Sequence, residues 1–323
     1  MSAELIGRRG VQGRFFRMLD QATGSMWVDD FGMYFPSDQA EEIYVMLGMV
    51  PGLREWVGDR LAHGLSENEF KIRNVDFELT IEVFQEWLRR DKTGQLDVRI
   101  NDVVTRTLSH WASLCSGKIL TGETTVCFDG AFYFDTTHTE GASGPQNNIV
   151  TLSVANAPTT HKGTKTAPTA GTMSWAFQKA IERLLSFTDD QGEPLNEFAK
   201  WFAAMVPVPF WAPGLTAIAS DFVGQGEPNA LKVAGSSDFG IKIHPNTRLT
   251  AGGWTTKFVV ARTDAMVKAL IRQEELLPQF DAIGLEPNSE LRFQKRKAQF
   301  GVHTCRNVEY GDPLKIVLVE LTD

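Results

Sequence analysis

The chain has 323 residues, 42% of them apolar and 22% charged, which supports a sizeable buried core and excludes an intrinsically disordered protein. Its net charge of −8 excludes a surface that wraps nucleic acid through neutralising contacts, though it suits a wall that lies near nucleic acid without adhering to it. Three cysteines, an odd number, point to free thiols in a reducing compartment and not to a disulfide framework.

In chain order, the stretch to about Phe35 (GRRGVQGRFF, then ATGSMWVDDFGMYF) mixes glycine, arginine and aromatic residues without a period. It predicts an extended arm that gains order only against another surface, and it lacks the apolar core of a secretory signal. A short segment at Ala40–Gly48 precedes PGLREWVGDRLAHGLSENEF, which is turn-rich and heavily charged. Val75, Phe77, Leu79, Ile81 and Val83 then alternate with Asp76, Glu78, Thr80 and Glu82, the period of a half-buried strand. Leu96, Ile100, Val103, Val104, Leu108, Trp111 and Leu114 recur at helical spacing. They predict a helix over about 95–117, with Asp97 and Asp102 toward its start and Gly117 and Lys118 closing it.

CFDGAFYFDTTH (127–138) follows, then a Gly/Thr/Pro-rich loop over about 140–168 and a second helix over about 173–187. From Trp201 to Ser220 the chain carries no charge and is nearly long enough to span a bilayer. Pro207, Pro209 and Pro213 would remove backbone donors that lipid cannot replace, so the prediction is a buried strand (202–207) and a short helix (213–222), with no membrane partner. Further strands are predicted at 231–234, around IKIH (241–244), and at 255–262, 267–276, 291–305 and 314–321. Strands outnumber helices without alternating strictly with them, the pattern of an α+β fold.

A Cys–His hydrolase needs a thiolate beside an imidazole, and Cys127 and His138 could meet across a turn at FDG. The aromatic residues Phe128, Phe132, Tyr133 and Phe134 crowding that stretch favour plain burial with the cysteine packed inside. Six histidines and three cysteines form no CxxC, HxxxH or HExxH pattern; His303 and Cys305 make only an isolated HxC, so no metal is expected. VGQGEPNA lacks the third glycine of a dinucleotide fingerprint, no GKS or GKT occurs, and GASG (141–144) reads as a flexible turn, so no cofactor is expected. The acidic pairs Asp29–Asp30, Asp189–Asp190 and Glu274–Glu275 read as solvated surface. No catalytic constellation stands out, and no enzymatic activity is expected.

LREWVGDR (53–60) is different. Arg54, Glu55, Asp59 and Arg60 surround Trp56 in a loop too polar to nucleate a core. A solvated turn with one snorkelling tryptophan would account for it, but tryptophan and arginine are also the residues enriched where protein surfaces meet.

The run PGLREWVGDR followed by FKIRNVDFELTIEV resembles the extended loop of the major head subunits of Mu-like phages, where P-x-L-R/K-E-W-V-G-x-R precedes I-x-N-x-x-F-E-x-T-V. CFDGAFYFDTTH is similar to that family's C-Y/F-D-G-x-x-F-F-D-x-x-H after a long helix. FAAMVPVPF, VKALIRQEEL and FGVHTCRNVEYG continue the similarity, which covers about 40–320. The resemblance implies the tailed-phage major capsid fold, with an arm and lead-in over 1–47 (the arm itself about 1–40) and an extended loop over 48–83. It further implies a peripheral domain over 84–188 carrying the spine helix, an axial domain over 189–282, and returning strands over 283–323.

It also implies hexamers and pentamers closing an icosahedral shell around double-stranded DNA, assembled in the bacterial cytoplasm and ending in the virion. A separate scaffold protein and a portal would be its partners, with or without a decoration protein. Intersubunit contacts are then expected from Arg54, Glu55, Trp56, Asp59 and Arg60 in the loop, and from Arg8, Arg9, Arg14, Phe15 and Phe16 in the arm. CFDGAFYFDTTH becomes a hairpin behind the spine helix, turning at Asp129 and Gly130. Two other readings are an encapsulin-like compartment shell and a soluble thiol hydrolase using Cys127 and His138.

Overall fold

The computed structural model describes residues 8–22, 27–47, 67–90, 94–139, 143–189, 192–223, 227–235, 239–286 and 288–323. The chain opens with α1 (Arg8–Ala22), α2 (Val28–Phe31) and β1 (Gly32–Pro36), then β2 (Glu41–Leu47) and β3 (Glu67–Arg73), which pair antiparallel. β4 (Val75–Phe84), α3 (Gln85–Arg90) and the 27-residue α4 (Gln95–Thr121) follow. β5 (Ile149–Ser153) comes next, then the two-residue pair β6 (Gly163–Thr164) and β7 (Ala167–Pro168), and α5 (Ala170–Leu185). The second half holds β8 (Trp201–Val206), α6 (Val208–Ala219), the small pair β9 (Phe222–Val223) and β10 (Glu227–Pro228), and α7 (Ala230–Gly235). It ends with β11 (Gly240–Pro245), α8 (Thr247–Ala251), β12 (Lys257–Arg262), β13 (Leu270–Ile283), α9 (Glu290–Lys295), β14 (Lys297–Tyr310) and β15 (Ile316–Thr322).

Two sheets organise these elements. A five-stranded mixed sheet runs β11-β8-β12-β15-β5, and a four-stranded sheet runs β1-β13-β14-β4. The five-stranded sheet is buried on both faces. Phe202, Ala204, Val206, Phe258, Val260 and Val319 pack against α5 and α6, while Ala203, Met205, Val259, Ala261 and Leu318 face the C-terminal part of α4. Two-sided burial explains why FAAMV, FVVA and IVLV read as continuous apolar runs. The four-stranded sheet is covered on one face by α1 and α4, where Phe280, Phe300 and Val302 meet Phe15, Ile100 and Val104. Its strand β4 keeps the predicted alternation: Leu79, Ile81 and Val83 are half-buried, and Glu78, Thr80 and Glu82 are exposed. Helices and sheets together make the α+β architecture. No helix among the described residues is long and apolar enough to cross a membrane.

Several expectations need correction. The arm is not extended over 8–22; Val11, Phe15, Met18 and Leu19 stand at helical spacing and pack within this chain, a period that Gly10 and Gly13 obscure. The spine helix does not stop at Gly117 but runs to Thr121, and its closure lies at Gly122. A side chain at Gly122 would begin 2.6 Å from the Phe134 ring, whereas one at Gly117 would meet nothing within 4 Å. IVTLS, expected in a loop, joins the sheet as β5 by pairing parallel to β15. The short helix begins at Val208, not Pro213; Pro207 caps it and Pro209 occupies its first turn, where no donor is missed. The predicted strand at 231–234 is α7, because the Asn229 side chain accepts the Leu231 N–H at 3.2 Å and starts a helical turn. The run from Leu291 begins as α9 before β14 takes over at Lys297.

Candidate functional site

The CFDGAFYFDTTH stretch forms a tight turn whose ends bridge at Val126 and Phe132. Cys127 N–H donates to the Ala131 carbonyl at 2.8 Å, and Gly130 takes φ +84°, a left-handed conformation that glycine adopts without strain. The turn aims three reactive side chains at one point. The Cys127 thiol donates to Asp129 Oδ1 at 2.8 Å, and His138 Nδ1 lies 2.6 Å from Asp129 Oδ2. Burial pushes the Asp129 carboxyl up, but hydrogen bonds from His138 and Cys127 outweigh it and hold the group below the usual carboxylate range. Burial, then Asp129 itself, pushes the Cys127 thiol well above its ordinary value.

That is the opposite of what a nucleophilic thiol needs. The thiol's hydrogen bond goes to the carboxylate and not to the imidazole, so the Cys–His pairing of a thiol hydrolase is not made. As a metal centre the three ligand atoms lie within 4.8 Å of one another, yet they supply three donors where a structural zinc takes four. His138 Nε2 has no hydrogen-bond partner among the described residues. The ring borders a cavity of about 20 Å³ walled by Gln146, Asp312 and Leu314, room for one water. The chemistry on offer is structural: a buried carboxylate ties a thiol, an imidazole and the Ala131 N–H (3.0 Å) into one knot.

The aromatic half of the stretch holds α4 in place. Tyr133 is fully buried and stacks on Tyr310 at 4.2 Å, and its hydroxyl donates to the Ala269 carbonyl. Phe134 fills the space that Gly122 leaves open. The expected turn at Asp129 and Gly130 behind the spine helix is therefore present, as a bridged turn and not a laddered hairpin.

A second polar cluster, which sequence reasoning missed, joins the four-stranded sheet to α2 and α4. Arg272, Glu274 and Arg306 are all buried. Arg306 lies over the Trp111 ring at 4.7 Å, donates to the Thr107 carbonyl at 2.8 Å and pairs with Glu274 at 3.6 Å. Arg272 lies over the same ring at 5.6 Å and pairs with Asp29 at 2.5 Å, while Tyr34 donates to Glu274 at 3.0 Å. Burial pushes Glu274 up, and burial with the nearby Arg306 pushes His110 down to about 4. Of the acidic pair Glu274–Glu275, expected to be solvated surface, Glu275 is exposed but Glu274 is buried beside Arg272 and Arg306. Only the covering of β13 on both sides turns them into a buried network.

The loop residues Arg54, Glu55, Trp56, Asp59 and Arg60 lie outside the described residues, between β2 and β3. Arg8, Arg9, Arg14, Phe15 and Phe16 fall on α1. Phe15 turns into this chain and stacks on Phe280 at 4.5 Å, and Arg14 pairs with Asp97 of α4 at 2.5 Å, so neither waits for another copy to become ordered. Phe16 and Arg9 face outward.

Comparison with known proteins accords with this architecture. Residues 7–166 match the model of the Mu-like prophage major head subunit gpT family. The Mu-like prophage FluMu major head subunit of Haemophilus influenzae is 29% identical over 117 residues, which are 36% of this chain and 38% of that protein, so the match spans well under half of the relative's length. A chain of the bacteriophage JBD30 procapsid superposes with a TM-score of 0.54 at 17% identity, covering 97% of this chain and 74% of that one. A chain of the bacteriophage PhiM1 mature capsid does so with a TM-score of 0.54 at 11% identity, covering 93% and 89%. Over residues 7–166 this chain is thus similar to the Mu-like prophage major head subunits, and its fold is that of tailed-phage capsid proteins.

Proposed function

We propose that this chain is a phage major capsid protein, a structural subunit without enzymatic activity that forms hexamers and pentamers and closes an icosahedral head around double-stranded DNA. The observation that carries the reading is the match to a major head subunit family over 7–166, on a chain that keeps a capsid fold over 97% of its length. In domain terms, α1, α4 and the four-stranded sheet would be the peripheral part, and the five-stranded sheet with α5 and α6 the axial part. The extended loop over 48–83 would lie across a neighbouring subunit, with Trp56 as its apolar anchor and Arg54, Glu55, Asp59 and Arg60 pairing across the seam.

Large apolar side chains left exposed support such assembly. Phe293 is 86% exposed, Met266 93%, Phe198 79% and Trp87 62%, an expensive surface for a free subunit and an ordinary one for a lattice. Many modest contacts repeated around a closed lattice become cooperative and hard to reverse. The net charge of −8 keeps packaged DNA from adhering to the wall. A separate scaffold and a portal, with or without a decoration protein, would complete the head, assembled in the host cytoplasm.

The test is electron microscopy of particles formed by the protein expressed with its neighbouring genes. Closed shells are expected from the natural sequence. A folded, soluble subunit without shells is expected from Trp56→Ala combined with Arg60→Glu. Normal particle yield from that double variant would remove the loop from the account, and absence of shells from the natural sequence under every condition would remove the reading itself.

A further inference from the structure

A buried polar cluster at the entry to β15 plays no part in the shell-forming role. Lys315 closes the short turn 313–315 that leads into this strand, and Asn196 lies in the connection between α5 and β8. The two residues are 119 positions apart in the chain, and both are buried, Asn196 completely. Lys315 Nζ donates to Asn196 Oδ1 at 2.9 Å. Asp312 Oδ2 lies 3.7 Å from the same Nζ, while Asp312 Oδ1 accepts the Leu314 N–H at 2.8 Å and fixes the turn. Arg262, at the end of β12, donates to Asn196 Oδ1 at 3.2 Å and is itself held by Asp264 at 2.6 Å.

This is a poor place for a lysine cation. An ammonium carries three N–H donors, yet Lys315 makes one hydrogen bond among the described residues, and the Asp312 carboxylate stands beyond hydrogen-bond distance. Burial pushes the Lys315 amine down, toward the neutral form that acts as a nucleophile. The amide opposite is held as an electrophile. Its nitrogen donates to the Leu184 and Leu314 carbonyls at 2.7 and 3.0 Å, which turns the oxygen toward Arg262 and Lys315. The guanidinium draws electrons from that carbonyl. The amide carbon, one C=O bond of about 1.23 Å behind the oxygen, is no more than about 4 Å from the amine. A small turn of the flexible lysine stem closes this to an attacking distance of about 3–3.5 Å.

We infer that Lys315 and Asn196 join in an isopeptide bond within the chain. The Lys315 amine attacks Asn196 Cγ, and Asp312 takes the proton that the attacking nitrogen sheds. Arg262 stabilises the negative oxygen of the tetrahedral intermediate. The Cγ–Nδ2 bond then breaks as Asp312 returns its proton to the departing nitrogen. An Nζ–Cγ amide forms, one ammonia leaves, and no oxidant or other co-reactant is consumed. The bond ties β15 to the segment that enters β8, both strands of the five-stranded sheet. It constrains the unfolded chain over 119 positions as a disulfide would, in a protein whose three cysteines are free. The reaction requires only the folded subunit, so it stands or fails independently of shell formation.

The experiment is mass spectrometry of the purified full-length subunit, intact and after trypsin. The natural protein should be lighter by one ammonia than the mass its sequence requires. Trypsin should release the peptide 184–200 joined to 307–323, uncut after Lys315, because an acylated lysine is not a cleavage site. Lys315→Met keeps a buried apolar stem, and Asp312→Asn keeps an oxygen for the Leu314 N–H. Both variants should carry the full mass of their sequences and give 184–200 as a separate peptide, with cooperative thermal melts showing that they fold. Full mass in the natural protein after prolonged incubation at neutral pH would overturn the inference. So would an ammonia loss with 184–200 and 307–315 recovered apart, which places the loss at another amide. Linked peptides from Asp312→Asn formed at the natural rate would overturn the proton transfer assigned to Asp312. The natural protein's own peptides decide whether the bond exists even where a variant fails to fold.

Discussion

Replacing Phe15 by alanine should loosen α1 from the body of the free subunit. The ring is fully buried, stacks on Phe280 at 4.5 Å and sits in one cluster with Ile100, Val104 and Phe300. An aromatic side chain buries roughly 150 Å² or more. At about 25 cal/mol per Å², removing it costs roughly 3–4 kcal/mol, near the low end of measured Phe→Ala losses. α1 is an outer layer, and exposed Phe16, 5.4 Å from Phe15, has room to lean inward and recover part of that loss. We therefore expect about 3 kcal/mol, taken from the local opening of 8–22 more than from the whole domain. Hydrogen exchange on the unassembled subunit should show amides of 8–22 opening on the order of a hundredfold more often, with the urea midpoint of the remainder shifted little. Unchanged exchange over 8–22 together with loss of particles would refute the reasoning, since Phe15 would then be held by another copy and not by its own chain.

Four further outcomes follow from the geometry. Gly117→Ala should stabilise by up to about 1 kcal/mol, because it gains helix propensity in open space, whereas Gly122→Ala should destabilise by about 1–3 kcal/mol by pressing Phe134; paired thermal melts read the difference in sign. Asp129→Asn removes the charge and replaces one of the two oxygens, which separately face the Cys127 thiol and the His138 ring, with an N–H donor; it should cost about 2–3 kcal/mol at neutral pH, measured by urea unfolding. The Asp129 carboxyl sits below its ordinary range when folded, so the natural protein holds this stabilisation above the usual aspartate value and loses it as pH falls through the folded one; the variant's acid limb should be flatter. Glu274 has the reverse sign: its raised folded value gives a contribution full below the ordinary glutamate range and lost as pH rises through the folded value, so Glu274→Gln should change the slope in the opposite sense. An electrophile should label Cys127 slowly at neutral pH, as mass spectrometry of the peptide would report; rapid, selective labelling would reopen the thiol-hydrolase reading.

The chain by itself determined what depends on local period and on turn chemistry. Val75 to Val83 alternate at period two and form β4; Leu96 to Leu114 recur at helical spacing and form α4; Asp129 and Gly130 make the predicted turn. The motifs around 53–60 and 127–138 pointed to the head-subunit family that the comparison bears out. Tertiary structure alone decided which surfaces are inside. Nothing local distinguishes Arg272, Glu274 and Arg306 from solvated strand charges until α2, α4 and β1 close over them, nor marks IVTLS as a strand until β15 offers a parallel edge from 169 residues further on (Leu318 against Ile149). The same holds for α1, whose glycines dilute its apolar stripe to the point that only Phe280 and α4 make it a helix. Period is a property of neighbours along the chain, but burial is a sum over neighbours in space, and partners hundreds of residues away contribute to it as much as adjacent ones do.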